Sequence, residues 1–311
     1  MNSALVIGAA GFLGSWLCRE LADRGVPVPA VVRRPPPADG LFAALGLASA
    51  PGVRLVVAGG VDAVLVSEAS PDAVFNLAGM SQVEAARSDP VAAFESNSRA
   101  VWLLLDVLRH AAPSAAVVVA STDGVYGEAS GRPSVEDDLP MARGPYEMSK
   151  LAGEAAASGF AALGQPVTVA RLGNVYGFGD ANASRLIPGL FDAARQGVAP
   201  RLRGDGRSIR GYLNVRDAVA GLLALADHAC EDGIRGQPVN LVSERGMSSL
   251  EMARLVMRIA GRPDLEAVVG PPAAGETSIR VSSAARARER LGWKERIPLE
   301  QGLRTLWERQ E

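Results

Sequence analysis

The sequence predicts an α/β protein: a doubly wound parallel sheet of about seven strands with a smaller, mixed C-terminal lobe. Three observations predict it. Four apolar residues, Ala4-Leu-Val-Ile7, run into Gly8-Ala-Ala-Gly11-Phe-Leu-Gly14 and then into a helical stretch. Short apolar runs alternate with helical stretches from there to residue 171, the pattern of parallel strands covered on both faces. Apolar residues make up 48% of the chain, enough to fill a large core.

The first crossover sets the arrangement. Ala4–Ile7 reads as a buried strand and Phe12 to Arg24 as a helix closed by Gly25. Gly8 permits a tight turn, Gly11 lets a pyrophosphate approach the backbone, and Gly14 lets the helix pack on the strand. The amides of Gly11, Phe12, Leu13 and Gly14 then face the phosphates, with the positive end of the helix dipole behind them. Further strands are expected at Val28-Pro-Ala-Val-Val32, Val53–Val57, Ala73–Leu77, Ala116–Ala120, Val167–Arg171 and Val239–Val242, with Pro29 counting against the second. Long helices are expected at Val91 to Ala112 and Tyr146 to Leu163.

The alternation loosens after Gly173. Helices are expected at about 184–197, 217–228, 248–261 and 299–309, with Ser248 and Glu251 forming a capping box. The dinucleotide-binding domain is therefore assigned to residues 1–172 with about 209–246. The substrate lobe takes about 173–208 and 247–311.

Composition excludes several classes. A net charge of −2 argues against nucleic acid or a membrane surface as partner. The start carries no charged region before its apolar run, and no run approaches a membrane span, so a soluble cytoplasmic protein is expected. Cys18 and Cys230 have no metal or redox spacing. His110 and His228 fall near helix ends, and no Ser-His-Asp or zinc set can be assembled.

The end of the second strand reports on the cofactor. A carboxylate there binds ribose hydroxyls, and an arginine accommodates a 2′-phosphate. The chain has Arg33 and Arg34, so NADP(H) is favoured, with NAD(H) possible.

Pro145-Tyr146-Glu-Met-Ser149-Lys150 supplies the chemical centre. Tyr146 and Lys150 stand at i and i+4, one turn apart on one helix face. An ammonium beside a phenol favours the phenolate and is expected to lower its pKa. The same ammonium can donate to ribose hydroxyls. Lys150 is one of only two lysines, with Lys294. Thr122, at the end of the fifth strand, can reach the oxygen that Tyr146 serves.

In order along the chain stand the Gly8/Gly11/Gly14 loop, Asn76-Leu-Ala-Gly79, Asn97, Ser121-Thr122, Tyr146/Lys150 and Arg171-Leu-Gly-Asn174-Val-Tyr-Gly177. As a set they resemble the extended short-chain dehydrogenase/reductase family of nucleotide-sugar epimerases, dehydratases and ketoreductases, a Rossmann family. Arg210-Gly-Tyr-Leu-Asn-Val-Arg-Asp217, Leu291-Gly-Trp293 and Ile297-Pro-Leu299 extend the resemblance over nearly the whole chain. It implies that Tyr146 is the catalytic acid/base, Thr122 its hydroxyl partner and Lys150 the ribose ligand. Leu77, Ala78 and Gly79 would line the cofactor and Asn97 would support the site. Asn174 and Arg210 would contact a sugar nucleotide, Arg210 at its diphosphate, and a homodimer would form through a four-helix bundle of the two long helices.

The family's branches differ beside Thr122. Its 4,6-dehydratases resemble Thr-Asp-Glu, the aspartate protonating and the glutamate deprotonating. This chain has Thr122-Asp123-Gly124 and lacks that base, which leaves Asp123 as a candidate catalytic acid and points away from elimination. The C-terminal Leu291–Leu299 also resembles GDP-4-keto-6-deoxymannose reductases. An NADPH-dependent reductase of a 4-keto(-6-deoxy) nucleotide sugar is therefore expected. A 4-epimerase with retained cofactor and a non-catalytic cofactor-binding sensor are the alternatives. In one departure, Ala273 and Ser283 stand where the family has a diphosphate-clamping arginine and an aspartate, and Arg280 is the candidate substitute. The Gly59-Gly60-Val61-Asp62 turn is one residue short of the family's adenine-contacting pattern.

Overall fold

The protein, analysed as a computed structural model, is described over residues 1–129, 131–271 and 277–309. Its strands are β1 Ala4–Ile7, β2 Val28–Val32, β3 Val53–Val57, β4 Ala73–Asn76, β5 Ala116–Thr122, β6 Val167–Leu172, β7 Asn174–Tyr176, β8 Ile209–Asn214, β9 Pro238–Leu241, β10 Gly246–Ser248 and β11 Ile279–Arg280. Seven form one parallel sheet in the order β3-β2-β1-β4-β5-β6-β9. The order turns around between β1 and β4, so a crevice opens at their carboxyl ends.

The period-two alternation of side chains divides the strands between two apolar layers. Val6, Phe75 and Val118 face the layer covered by helices Phe12–Asp23, Val215–His228 and Ala285–Leu291. Leu5, Val74 and Val117 face the layer covered by Ala63–Ala69, Ala100–Ala111 and Pro145–Ala162. All seven strands expected from the sequence are present. Pro29 is accommodated because the β1–β2 register begins one residue later, at Val6↔Ala30.

The second sheet was not legible as strands. β8 pairs antiparallel with β10 and parallel with β11 and β7. A third apolar core lies in this half, with Leu190, Phe191, Met252, Val256 and Leu303 buried and Phe191 stacked on Trp307 at 5.6 Å. Helices Leu186–Gln196, Ser249–Ile259 and Leu299–Glu308 serve it, and the Ser248/Glu251 capping box is formed. The C-terminal motif is a tether: Trp293 Nε1 donates to the Asp217 carbonyl at 3.0 Å, and Asp217 Oδ2 accepts from the amides of Arg296 and Ile297 at 3.1 and 2.9 Å.

One expected helix differs. Residues 91–112 do not form a single regular helix. Pro90–Phe94 opens it, Glu95–Arg99 forms a π turn, and Ala100–Ala111 continues it. Single π turns often mark functional sites, and this one carries Asn97. Among the described residues no helix is long and apolar enough to cross a membrane.

Candidate active site

The Gly-rich loop after β1 has the shape expected of a phosphate cradle. Gly8 has φ +83°, and a Cβ there would lie 2.7 Å from the Ala78 nitrogen. The loop and the Leu77-Ala78-Gly79 turn therefore touch backbone to backbone, which only glycine at position 8 permits. A Cβ at Gly14 would overlap the Gly8 carbonyl oxygen. Gly11 caps helix Phe12–Asp23 without a side-chain bond. The helix's first bond runs from Ser15 N–H to the Gly11 carbonyl at 2.8 Å, so the amides of Phe12, Leu13 and Gly14 precede it.

Across the crevice, the π turn aims Asn97 at the helix that follows Gly144. Asn97 Nδ2 donates to the Met80 carbonyl and to Ser149 Oγ, both at 3.0 Å. Its Oδ1 is buried without a hydrogen-bond partner in the structure. Gly79, at φ +154°, leaves the space that a Cβ would need; that Cβ would overlap Asn97 Oδ1 and stand 3.2 Å from Lys150 Nζ. Lys150 Nζ donates to the Ala120 carbonyl at 3.1 Å. An unmet acceptor and an ammonium beside a side-chain-free turn fit a dinucleotide's ribose and nicotinamide end.

Tyr146 stands in the first turn of helix Pro145–Ala162, one turn before Lys150. The expectation that Lys150 lowers its pKa does not hold in this structure. Burial pushes the Tyr146 phenol up. The groups that pull it down are the Thr122 hydroxyl, its hydrogen-bond partner, and the Arg280 guanidinium, while Glu147 and Asp123 add to the rise. Lys150 is itself shifted, down to about 8, by burial, against the upward pull of Glu154.

Thr122 Oγ1 accepts from the Gly124 amide at 3.1 Å, which fixes the strand-to-turn corner. Asp123 is buried, and burial raises its pKa against Arg280, Arg210 and the Thr122 hydroxyl, which all lower it. Arg280 Nε lies 3.5 Å from Asp123 Oδ1.

A polar network that sequence reasoning missed lies beneath these groups. Arg171, at the end of β6, bonds both carboxylate oxygens of Glu154 and donates to the Tyr126 hydroxyl at 2.8 Å. Ser121 Oγ also bonds Glu154. Tyr126 donates to Asn240 Oδ1 at 2.8 Å, and the Asn240 amide donates to Glu136 at 2.8 Å. The available signal was Arg171 itself: a charge closing a strand buried on both faces demands a partner.

The remaining expected residues divide. Leu77 and Ala78 touch the Gly8 loop. Arg33 and Arg34 leave the end of β2 exposed to solvent. Asn174 opens β7 and donates to the Gly211 carbonyl at 3.4 Å. Arg210 is engaged with backbone, donating to the carbonyls of Ile209, Thr277 and Ser278. Asp62 caps helix Ala63–Ala69 by accepting from the Leu65 amide at 2.9 Å. Ser283 Oγ donates to Glu244. Ala273 lies outside the described residues.

A parallel sheet with a glycine cradle at its switch point, and a Tyr-Lys pair at the carboxyl end of the adjoining strand, define a class of dinucleotide-dependent enzymes. The chain belongs to the NAD dependent epimerase/dehydratase family, whose profile matches residues 4–241. It is 30% identical over 280 residues to a dTDP-4-dehydro-6-deoxy-D-allose reductase of Streptomyces bikiniensis, covering 85% of this chain and 82% of that one. It is 28% identical over 312 residues to a UDP-glucose 4-epimerase of Lacticaseibacillus casei, covering 93% and 90%. Its structure is similar to that of MoeE5 in complex with UDP-glucuronic acid and NAD, at a TM-score of 0.82 and 29% identity over 99% of both chains.

Proposed function

We propose that the protein is an NADPH-dependent reductase of a 4-keto(-6-deoxy) nucleotide sugar. The observation that carries this reading is the glycine at position 124 beside Asp123, next to Tyr146 and Thr122. Tyr146 is a proton donor for a carbonyl oxygen, and burial shifts its pKa up. Thr122 shares the same hydrogen-bonded position and orients that oxygen. Position 124, where the resemblance puts the dehydratases' base, is a glycine, and the Glu147 side chain beside it comes from the following helix. Reductases of 4-keto deoxysugars also stand among the relatives.

The bound cofactor supplies the hydride that reaches the keto carbon. Gly8, Gly11, Phe12, Leu13 and Gly14 hold its pyrophosphate. Leu77, Ala78, Gly79 and Asn97 line the path to its nicotinamide, and Lys150 donates to its ribose. Arg33 and Arg34 favour the 2′-phosphate of NADP(H). Thr122 and Asn174 meet the sugar nucleotide. Purified protein given NADPH and a dTDP-4-keto-6-deoxyhexose should consume NADPH stoichiometrically, read as loss of absorbance in the near ultraviolet. A panel of 4-keto sugar nucleotides that leaves NADPH untouched would defeat the reading.

The second reading is a 4-epimerase with retained cofactor. It is favoured by the epimerase relative that spans nearly the whole chain and by the NAD in the MoeE5 complex. Sugar isomers would then interconvert with no net use of NADPH.

A homodimer completes the proposal. Val91, Phe94, Trp102, Leu103 and Met148 are exposed on helices Pro90–Phe94, Ala100–Ala111 and Pro145–Ala162, an apolar face suited to a second copy. Light scattering behind a sizing column should return twice the chain mass, and Trp102→Glu with Leu103→Glu should return it to one.

A further inference from the structure

We propose that Arg280 reads the hexose of the substrate at its reacting end, beside Tyr146, and not the diphosphate. The inference rests on the nucleotide-sugar reading above. Four observations carry it. Arg280 Nε is buried and has no hydrogen-bond partner in the structure, although it lies 3.5 Å from Asp123 Oδ1. Asp123 meets the Arg280 charge but takes no hydrogen bond from Nε, and burying a guanidinium donor without one is costly, so an acceptor supplied by a ligand completes it. The Arg280 charge reaches both the Tyr146 phenol and the Asp123 carboxyl, which places it at the chemical centre.

Gly124 makes the room. A Cβ there would stand 3.3 Å from Arg280 Nη1, 3.3 Å from Thr122 Oγ1 and 3.1 Å from Glu147 Cγ. The guanidinium therefore lies across the glycine, in the space a side chain at 124 would take.

Arg210 sets the aim. Its guanidinium donates to the Thr277 carbonyl at 2.7 Å and the Ser278 carbonyl at 3.4 Å, and its backbone pairs in register with Arg280 across β8 and β11. Thus Arg210 positions the two-residue strand and Arg280 projects from it. The ligand this arrangement takes is an oxygen acceptor on the hexose ring, hydroxyl or keto, held between a guanidinium and a carboxylate that are already paired. A pre-paired arginine is oriented before the sugar arrives, which limits the side-chain entropy lost on binding.

The test separates sugar from diphosphate. Protein loaded with NADP(H) is titrated by equilibrium dialysis with UDP, dTDP and GDP, and with UDP-glucose, dTDP-glucose and GDP-mannose. Arg280→Met should weaken the best-bound sugar nucleotide about tenfold while its bare diphosphate stays within about twofold. Arg280→Lys should recover part of that loss. Arg280→Gln, which keeps the bulk and removes the charge, should weaken the sugar nucleotide alone in the same direction, and it decides the matter if Arg280→Met does not fold. Equal losses for sugar nucleotide and diphosphate would put Arg280 on the diphosphate and overturn the proposal. No loss for either would make it a counterion to Asp123 only and overturn it too. If the unaltered protein binds none of the six probes, the nucleotide-sugar reading itself falls and takes this inference with it.

Discussion

Arg171 clasps Glu154 through both carboxylate oxygens, with a shortest contact of 2.6 Å, one helical turn beyond Lys150. Both side chains are buried, at 4% and 8% exposure. A buried pair of this kind is strong only while it is whole, because either partner alone is a desolvated charge. Glu154→Gln should therefore destabilise the protein by about 3 kcal/mol, read as a lower denaturant midpoint at unchanged slope. An unchanged midpoint would mean that the network relaxes or hydrates on losing the charge.

Glu154 also acts on Lys150. Burial brings the Lys150 ammonium down to about 8, and Glu154 is the group that pulls it back up. In the proposed function the charged form is the stronger donor to the ribose hydroxyls. Cofactor affinity should hold below pH 8 and fall as the pH rises through it. In Glu154→Gln the pull is gone, so the fall should begin at lower pH. Dinucleotide titrations across pH 6–10 check this; a profile that does not move in the variant would remove Glu154 from the site's electrostatics.

In the proposed reaction Thr122, which lowers the Tyr146 pKa, orients the substrate oxygen, and only Tyr146 transfers the proton. Tyr146→Phe should lower kcat by about a thousandfold, within the usual worth of general acid catalysis, and leave cofactor affinity nearly unchanged. Thr122→Val should keep the proton donor but lose the orientation, with a smaller fall in kcat. A Phe variant that still turns over at a tenth of the normal rate would move the acid to Asp123.

These predictions draw on parts of the molecule that were unequally legible. The seven strands of the large sheet were readable because each is a short apolar run bounded by helical stretches; most are buried on both faces, while the edge strand β3 leaves Leu55 and Val57 exposed. The second sheet was not. β11 has two residues and pairs with β8 about 70 positions earlier, and no local pattern encodes such a pairing. The π turn at Glu95–Arg99 was hidden for the opposite reason, since the helical pattern runs through it unbroken. Gly8, Tyr146 and Lys150 were readable because backbone geometry and helical spacing dictate those residues locally. The upward shift of the Tyr146 pKa was not, because burial, a tertiary property, outweighs the groups that pull it down. Arg280 was named as a substrate residue, yet its contact with Asp123 and its place over Gly124 needed the fold.

The glycine cradle gives a sharp stability test. Gly8 combines φ +83° with a position where a Cβ would stand 2.7 Å from one backbone nitrogen. Gly8→Ala must strain that conformation and push the Leu77-Ala78 turn away, at a cost of about 2 kcal/mol, and should abolish dinucleotide binding. Gly25→Ala is the control. Its φ is +70°, but nothing stands within 4 Å of the added carbon, so it should cost about 1 kcal/mol and bind cofactor normally. Equal effects at the two positions would mean that strain alone, and not the approach of the two turns, governs the cradle.

In the proposed reading the charge at the end of β2 decides which dinucleotide binds better. Arg33 and Arg34 follow Val32 directly and are both exposed. A 2′-phosphate carries nearly two negative charges and accepts charge-assisted hydrogen bonds from guanidinium groups. Replacing both arginines by serine should cost NADPH about a hundredfold in affinity and NADH little, since each such bond is worth about 1.5–3 kcal/mol. The loss should shrink at high salt, because exposed charges are screened. If the unaltered protein binds NADH more tightly than NADPH, the two arginines are a solvated turn, and the epimerase reading with retained NAD gains what the reductase reading loses.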